Sequence, residues 1–516
     1  MKRILVGLLA LVLVGANPVL AAAKTPVDGQ ICSASGPQSG KGAKGETLYC
    51  TRGADGVYAW HPDKPRQQGA GGQQQGQQIQ VGGKCSKEGA FTYFNYLFKC
   101  VAGKYIYVKS SDVPLAPAGG FKSRPSWYPT LTQILGAPGT AEPTCSPSTI
   151  KFTKPILPID QLAPSIPYGA MIGGHVTPID HGYIGIKSAN KSPETRTDAD
   201  YVPVTAPADG TITELSNLGA PNSFRIVINH GCNVYSVYMV VNKPSGVLAP
   251  FYETAKSGRP VMPNVKIKAG QEFAQQRDNP MDFNVFDGTK WLSGFANVGA
   301  YLSQDTWKPY TTDFLPFFTS DIKSALENVM QRTAQPRVGK IDYDVVGAAS
   351  GNWFLDGTNG YGGNFNSAYI HATSQLPGGM VPGKNIYSWS HLAIAPHPVD
   401  PSQWIFSIGW WKDEAGDPIQ TLMVIPSNKP SPDKLTAASG VVSYQLVNPS
   451  FQSPDGKDMP NFSWPVGYKV LATGSIMGVV TLQVNSDASL SVEIDTQATD
   501  PSTKTGFSSA KRIYRR

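Results

Sequence analysis

Apolar and polar residues alternate over short runs through most of this chain, which is the pattern of β-strands that bury one face. The clearest runs lie at 201–215, 224–241 and 264–274, and the first contains the turn signal Pro-Ala-Asp-Gly. Within 224–241, two β-branched and aromatic runs flank a short turn and predict a hairpin. These patterns predict a mainly β fold for the middle of the chain.

One segment repeats its apolar residues at helical spacing. These residues are Ile322, Ala325, Leu326, Val329 and Met330. Ser320 is the expected N-cap, and Gln335-Pro336 stops the helix. We therefore expect one helix to close a central domain.

The last third of the chain returns to strand patterns. Strands are predicted at 404–411, 421–425, 440–446, 478–484 and 490–494, and the stretch 339–358 predicts a strand, a Gly-rich bend and a second strand. This region is expected to form an all-β barrel or sandwich. We expect His391 and His397 to be structural, and the basic end Lys511–Arg516 to be a frayed tail.

Two short segments, 29–60 and 82–107, share one pattern and look like copies of one module. Each has a Gly three residues before its first Cys, then a second Cys, a Gly turn and alternating aromatic residues. Such a module buries too little surface to be stable alone, so each is expected to be closed by a disulfide. Spacing pairs Cys32 with Cys50 and Cys85 with Cys100, which leaves Cys145 with Cys232 by elimination. The alternating aromatic residues are consistent with binding to sugars or peptides. The favoured interpretation is that they form the small hydrophobic core of the module itself.

Passages of biased composition separate these units. The run 66–81 is rich in Gly and Gln and has the composition of a flexible tether. The predicted organisation is a signal peptide at 1–23, a two-Cys module at 24–65, the linker at 66–81, a second two-Cys module at 82–112, a Pro/Gly-rich linker at 113–143, the central domain at 144–335 and the C-terminal domain at 336–516.

Composition narrows the class of protein. Charged residues are 16% of 516, and the net charge of +7 shows no dense Lys/Arg cluster, so a nucleic-acid surface is not expected. Lys2 and Arg3 precede an apolar run at 4–16 and then small residues, the pattern of a cleaved signal peptide. No later run reaches the roughly 18 apolar residues that span a bilayer. With six cysteines and no CxxC, these features predict a secreted or periplasmic protein without a transmembrane segment.

The central strand segments resemble the LytM/lysostaphin-type peptidases, which are zinc enzymes that cut peptidoglycan cross-links. Pro203–Gly210 resembles that family's strand entering a tight turn, Ile226–Gly231 its central hairpin strand, and Val265–Gln271 its late strand. The resemblance extends over 173–287. It implies an antiparallel, barrel-like β domain, the duplicated hybrid motif.

The same resemblance implies a zinc site. In the family, a His and an Asp four residues later bind zinc, and a late His-x-His supplies a third ligand and a catalytic His. Here His175 and Asp180 are five apart, and His181 adds a third candidate ligand. Asp282 and Asn284 occupy the place of the late motif, so Asp282 is a further candidate ligand. Zinc catalysis needs three protein ligands, an open water position and a general base, so no catalytic residue is assigned.

Three functions are consistent with these patterns. The first is a cell-envelope protein whose degenerate peptidase-like domain binds a peptidoglycan-related ligand, or regulates an envelope hydrolase, without cutting. The second is an atypical zinc-dependent peptidoglycan endopeptidase that uses His175, Asp180 and His181, with help from Asp282 or His230. The third is a structural or adhesive exoprotein built from several modules.

Overall fold

A computed structural model describes most of the chain. The described residues are 39–41, 47–52, 58–61, 84, 91–94, 96–107, 113–136, 140–172, 174–220, 222–302, 304–358, 360–362, 386–411, 421–426, 430–459 and 464–516. The predicted signal peptide, Cys32 and Cys85 lie outside these residues. The chain divides into two compact units, Met1–Gln75 and Gly76–Arg516, with the boundary inside the predicted Gly/Gln-rich linker.

Each predicted two-Cys module contains a three-stranded antiparallel sheet. The first has β1 (Ser39–Lys41), β2 (Thr47–Arg52) and β3 (Tyr58–His61), and the second has β4 (Phe91–Phe94), β5 (Tyr96–Val101) and β6 (Lys104–Tyr107). The second Cys of each module lies on the middle strand opposite an aromatic residue. Cys50 pairs with Trp60, and Cys100 pairs with Tyr105. Both sheets have the same strand order, but the turns between their strands differ in length, so the predicted repeat and its disulfides stay predictions.

In its described residues, the central region has eleven short strands and three α-helices, besides several 3-10 turns. The strands are β7 (Leu162–Ile166), β8 (Gly182–Ile186), β9 (Val202–Thr205), β10 (Gly210–Asn217), β11 (Phe224–Gly231), β12 (Val234–Val241), β13 (Lys243–Pro244), β14 (Val265–Ile267), β15 (Glu272–Gln276), β16 (Met281–Asp287) and β17 (Thr311–Thr312). The helices are α1 (Leu131–Leu135), α2 (Tyr252–Lys256) and α3 (Ser320–Val329). One sheet has the order β14-β10-β11-β12-β16-β8-β7, with β17 also on β16, and a second has the order β13-β15-β9.

The main core of this region lies between the two sheets. Alternate residues of a strand face opposite sides, so Tyr238 on β12 and its partner Phe283 on β16 point to the same face. The ring of Tyr238 packs 5.0 Å from that of Phe273, which belongs to β15 of the smaller sheet. Strands β11 and β12 form the predicted hairpin, and a Cys145–Cys232 disulfide ties its turn to the preceding segment, with 5.0 Å between the Cα atoms.

The predicted helix is present as α3. Its N-cap is Thr319 rather than Ser320, which is the first helical residue. Ile322 and Leu326 are its buried side chains, and the helix packs against β7. The apolar spacing therefore identified the correct buried face, while the cap was misplaced by one position.

The C-terminal region forms a closed antiparallel barrel rather than a sandwich. Its elements are β18 (Gly351–Leu355), α4 (Ile386–Trp389), β19 (His391–Pro396), β20 (Trp404–Ile408), β21 (Thr421–Ile425), β22 (Val442–Val447), β23 (Ser450–Gln452), β24 (Lys469–Leu471), β25 (Ile476–Val484), β26 (Leu490–Asp495) and β27 (Arg512–Arg515). The barrel order is β18-β19-β20-β21-β22-β25-β26-β27, and β23 pairs with β24 outside it. Trp353, Leu392 and Phe406 are fully or almost fully buried in its core.

Two sequence predictions for this region are wrong. The basic end is not a frayed tail, because β27 pairs with both β26 and β18 and places Tyr514, which is fully buried, in the barrel core. The predicted strand before the Gly-rich bend is also absent from 340–346. There the carboxylates of Asp342 and Asp344 accept hydrogen bonds from the backbone N–H groups of Gly294 and Ala296, each at 2.8 Å. These side-chain contacts take the place of backbone hydrogen bonds to a neighbouring strand.

The central region and the barrel pack on each other through both apolar and polar contacts. Met171 belongs to one buried cluster with Ala395 and Val424 of the barrel wall. Tyr361, in the turn that follows β18, packs with its ring 5.4 Å from that of Tyr301. In the part of the chain that the structure describes, no helix combines the length and apolar character needed to cross a membrane.

Candidate functional site

The sequence-predicted site lies on the face of the large sheet that points away from the main core. Asp282 on β16 is paired with Met239 on β12 and with Tyr183 on β8, so these three side chains share a face. Asn284, two residues further along β16, lies on the same face. Strand β16 is buried along its whole length, whereas Met239 and Tyr183 beside it are half-buried, so other parts of the chain cover this face only in part.

The loop before β8 places two candidate residues on this face. His181 lies between two carboxylates: its Nδ1 is 3.4 Å from Asp180 Oδ1 and its Nε2 is 3.3 Å from Asp282 Oδ2. All three side chains are less than one-tenth exposed. The arrangement is an Asp–His–Asp row in which the two acids come from segments far apart in sequence.

A second set of contacts holds Asp180 from the other side. Trp307 Nε1 donates to Asp180 Oδ2 at 2.8 Å, and Asn284 Nδ2 donates to the Asp180 backbone carbonyl at 2.8 Å. The Lys308 ammonium is 3.8 Å from Asp180 Oδ1 and 3.8 Å from Asp305 Oδ2. We call Asp180, His181, Asp282, Asp305 and Lys308 the charged cluster.

Electrostatics within the charged cluster follow from burial and proximity. Burial opposes ionisation of Asp180, but Lys308, His181 and the Trp307 donor together hold its pKa below the usual range. Burial would lower the pKa of His181, but Asp282 and Asp180 outweigh it and raise that pKa. Burial raises the pKa of Asp282 to about 6, although His181 opposes the shift. Burial also raises the pKa of Asp305, against the effect of Lys308.

The charges of the cluster nearly cancel without any added ion. A protonated His181 and Lys308 contribute two positive charges, and the three carboxylates contribute three negative charges, which leaves −1. A single proton retained on Asp282 or Asp305 makes the cluster neutral. Buried charges persist in proteins when they are compensated in this way.

These residues do not fit a zinc centre of the kind that the resemblance implies. Zinc needs three donors directed at one point, whereas the two nitrogens of His181 face opposite carboxylates and both oxygens of Asp180 already have donors or cations beside them. Within the described ranges, no group of three or more His, Cys, Asp or Glu side chains is arranged to hold a metal ion.

The remaining histidine candidates lie at the edge of the charged cluster or away from it. The half-buried ring of His175 is 5.6 Å from that of His181, and burial, with His181 and Lys308 nearby, lowers its pKa to about 3. His230 lies on the opposite face of the sheet, where its Nε2 is 2.8 Å from Ser236 Oγ. His230 therefore does not assist the cluster. Trp307 and Lys308, which do contact it, carry no local sequence signal that would have identified them.

Strand β12 has a bulge at Val240, where its register with β11 shifts. Val240 has φ +57°, in the left-handed region that a β-branched residue rarely adopts. Its carbonyl accepts a hydrogen bond from Gln276 Nε2 at 3.1 Å, and Gln276 is fully buried. The buried amide thus holds the bulge in place.

Two comparisons with known proteins do not assign this chain to a family. No family model matches the chain, and no curated protein matches it significantly.

Proposed function

We propose that this chain is an envelope protein whose central, LytM-like domain binds a peptidoglycan-related ligand without cutting it. The proposal is carried by the charged cluster at the place expected for catalysis. Asp180, His181, Asp282 and Lys308 are each 6% exposed or less, and they neutralise one another. A site closed and compensated in this way offers no open position for a reacting water.

Half-buried side chains on the same sheet face supply a surface for a ligand. Met239 and Tyr183 flank Asp282, and Trp307 packs under the guanidinium of Arg225, whose Cζ is 5.1 Å from the indole centroid. Aromatic, thioether and guanidinium groups of this kind suit a ligand with both apolar and polar parts. We therefore place ligand binding on this face, beside the charged cluster.

The location that we propose is the periplasm or the exterior of the cell. The Cys145–Cys232 disulfide supports an oxidising compartment, because structural disulfides are rare where thiols are kept reduced. The N-terminal sequence pattern of a signal peptide supports the same location. In this proposal the two-Cys modules are accessory recognition units.

Co-sedimentation of the full chain with purified cell-wall fragments tests this function. We expect saturable binding and no release of soluble wall fragments. Met239→Gln should weaken binding about fivefold, which corresponds to ~1 kcal/mol of lost apolar contact. The matched control is Met262→Gln, because Met262 is 60% exposed and not on the paired strands of this face; its binding should be unchanged.

Two results would overturn the proposal in different directions. Release of soluble fragments that stops when a chelator is added would establish the zinc endopeptidase instead. Absence of binding to wall fragments would favour the adhesive exoprotein, or a regulator that contacts an envelope hydrolase. Capture of a purified hydrolase by the full chain separates these last two functions.

A further inference from the structure

A buried lysine lies beside Asp180, one of the residues that the peptidase resemblance assigns to zinc. Lys308 begins a 3-10 turn, Lys308–Tyr310, and its side chain is 1% exposed. Its ammonium is 3.8 Å from a carboxylate oxygen of Asp180 and of Asp305, and it donates to the Pro178 carbonyl at 3.5 Å. A lysine is almost never so buried unless it is paired, so these oxygens are what hold it there.

The barrel covers the remaining side of this ammonium. Lys308 Nζ lies 4.7 Å from the ring centroid of Tyr361, in the turn that follows the first barrel strand. Tyr361 is itself held by the barrel, because His391 Nε2 on β19 donates to its carbonyl at 3.0 Å. The ammonium thus has two carboxylates, a carbonyl and an aromatic face around it, which is the surrounding that a desolvated cation requires.

We propose that the Lys308 ammonium is the resident cation of this site and takes the place of a divalent metal ion. The positive charge is part of the chain, so the site needs no metal to form. This inference concerns the charged cluster only, and it does not depend on what the chain binds outside it.

Removal of the ammonium should turn the site into a weak metal site. In Lys308→Ala, the carboxylates of Asp180 and Asp305 lose their shared cation, and a void opens between them. Carboxylate oxygens and the imidazole of His181 are ligands that zinc accepts. We therefore expect this variant to gain an affinity for Zn²⁺ that the unmodified chain lacks.

The test uses the full chain, with zinc content measured by mass spectrometry and thermal unfolding measured with Zn²⁺ and with a chelator. The unmodified chain should hold no zinc above the buffer blank, and its Tm should be the same in both buffers. Lys308→Ala should unfold at a lower Tm in chelator and recover part of that loss in Zn²⁺. Lys308→Arg, which keeps the charge, should not respond to zinc.

Either of two results would overturn the proposal. One is stoichiometric zinc in the unmodified chain that disappears in His181→Ala, because a metal would then already occupy the site. The other is a Lys308→Ala variant that has the Tm of the unmodified chain and whose Tm does not change with Zn²⁺. The ammonium would then not stabilise the carboxylates around it. If Lys308→Ala does not fold, Lys308→Met removes the charge and keeps the apolar stem, and a Tm equal to that of the unmodified chain would then overturn the proposal. Binding of the unmodified chain to cell-wall fragments is a separate measurement. The proposal for Lys308 can therefore fail while the proposed ligand binding holds, and the reverse is also true.

Discussion

His230 is a buried neutral base, and acid should therefore destabilise the central domain through it. Its side chain has Nδ1 3.0 Å from the Asp209 carbonyl and Nε2 2.8 Å from Ser236 Oγ, with Phe152 packed 5.0 Å from the ring. The neutral ring satisfies both contacts, with Nδ1–H as donor and Nε2 as acceptor. Burial lowers its pKa from 6.5 to about 4, although the Asp209 carbonyl opposes the shift.

The magnitude follows from proton linkage. Below pH 6.5 the unfolded chain protonates this histidine, while the folded chain keeps it neutral down to about pH 4. The unfolded state then binds more protons, so the free energy of unfolding falls as the pH falls through this window. The full loss is about 3 kcal/mol, of which about 2 kcal/mol is reached by pH 5. This is a sizeable part of the 5–15 kcal/mol typical of a whole domain.

Urea unfolding of the unmodified chain and of His230→Gln, each at pH 7 and pH 5, measures this contribution. The variant should lose about 2 kcal/mol less than the unmodified chain between the two pH values. His391 and His397 are also buried and have pKa values lowered by burial, to about 3 and about 4, but they are present in both proteins and cancel. Equal pH dependence in the two proteins would refute the assignment of a neutral buried base to His230.

Three further predictions concern single contacts. Trp307→Phe removes the indole donor to Asp180 and should lower the free energy of unfolding by about 2 kcal/mol in urea denaturation; no loss would mean that Asp180 does not need this bond. The double variant Cys145→Ala with Cys232→Ala opens a crosslink between positions 87 apart and should cost roughly 4 kcal/mol by calorimetry, and a loss under ~1 kcal/mol would contradict the loop-closure argument. Tyr514→Ala should destabilise the barrel by about 3–5 kcal/mol, seen by tryptophan fluorescence, whereas a frayed tail would tolerate it.

The candidate site was only partly predictable from the sequence. His175, Asp180 and His181 are neighbours along the chain, so their crowding was visible in advance. Asp282 was a weaker candidate, yet its Oδ2 lies 3.3 Å from His181 Nε2, because β16 pairs with β8. The register between two strands decides that contact, and register depends on burial of whole faces rather than on local spacing.

Lys308 shows why the chemistry of the site could not be predicted from its motif. A lysine beside a tryptophan in a loop normally extends into solvent, and nothing local marks this one as buried. It becomes an internal cation only because the loop closes over Asp180 and the barrel supplies Tyr361. The resemblance to zinc peptidases drew attention to His175, Asp180 and His181, but it gave no indication of the buried lysine beside them.

The local sequence pattern by itself determined most strands of this protein. Tertiary packing determined how the barrel closes and which side chains form the charged cluster. Alternation and turn residues located β11, β12 and most barrel strands, because a strand with one buried face imposes a period of two on its own sequence. The barrel closure through β27 and the assembly of the charged cluster needed the tertiary structure. Each depends on pairing between distant segments, and the free energy that selects such a pairing comes from burial and charge compensation that no single segment contains.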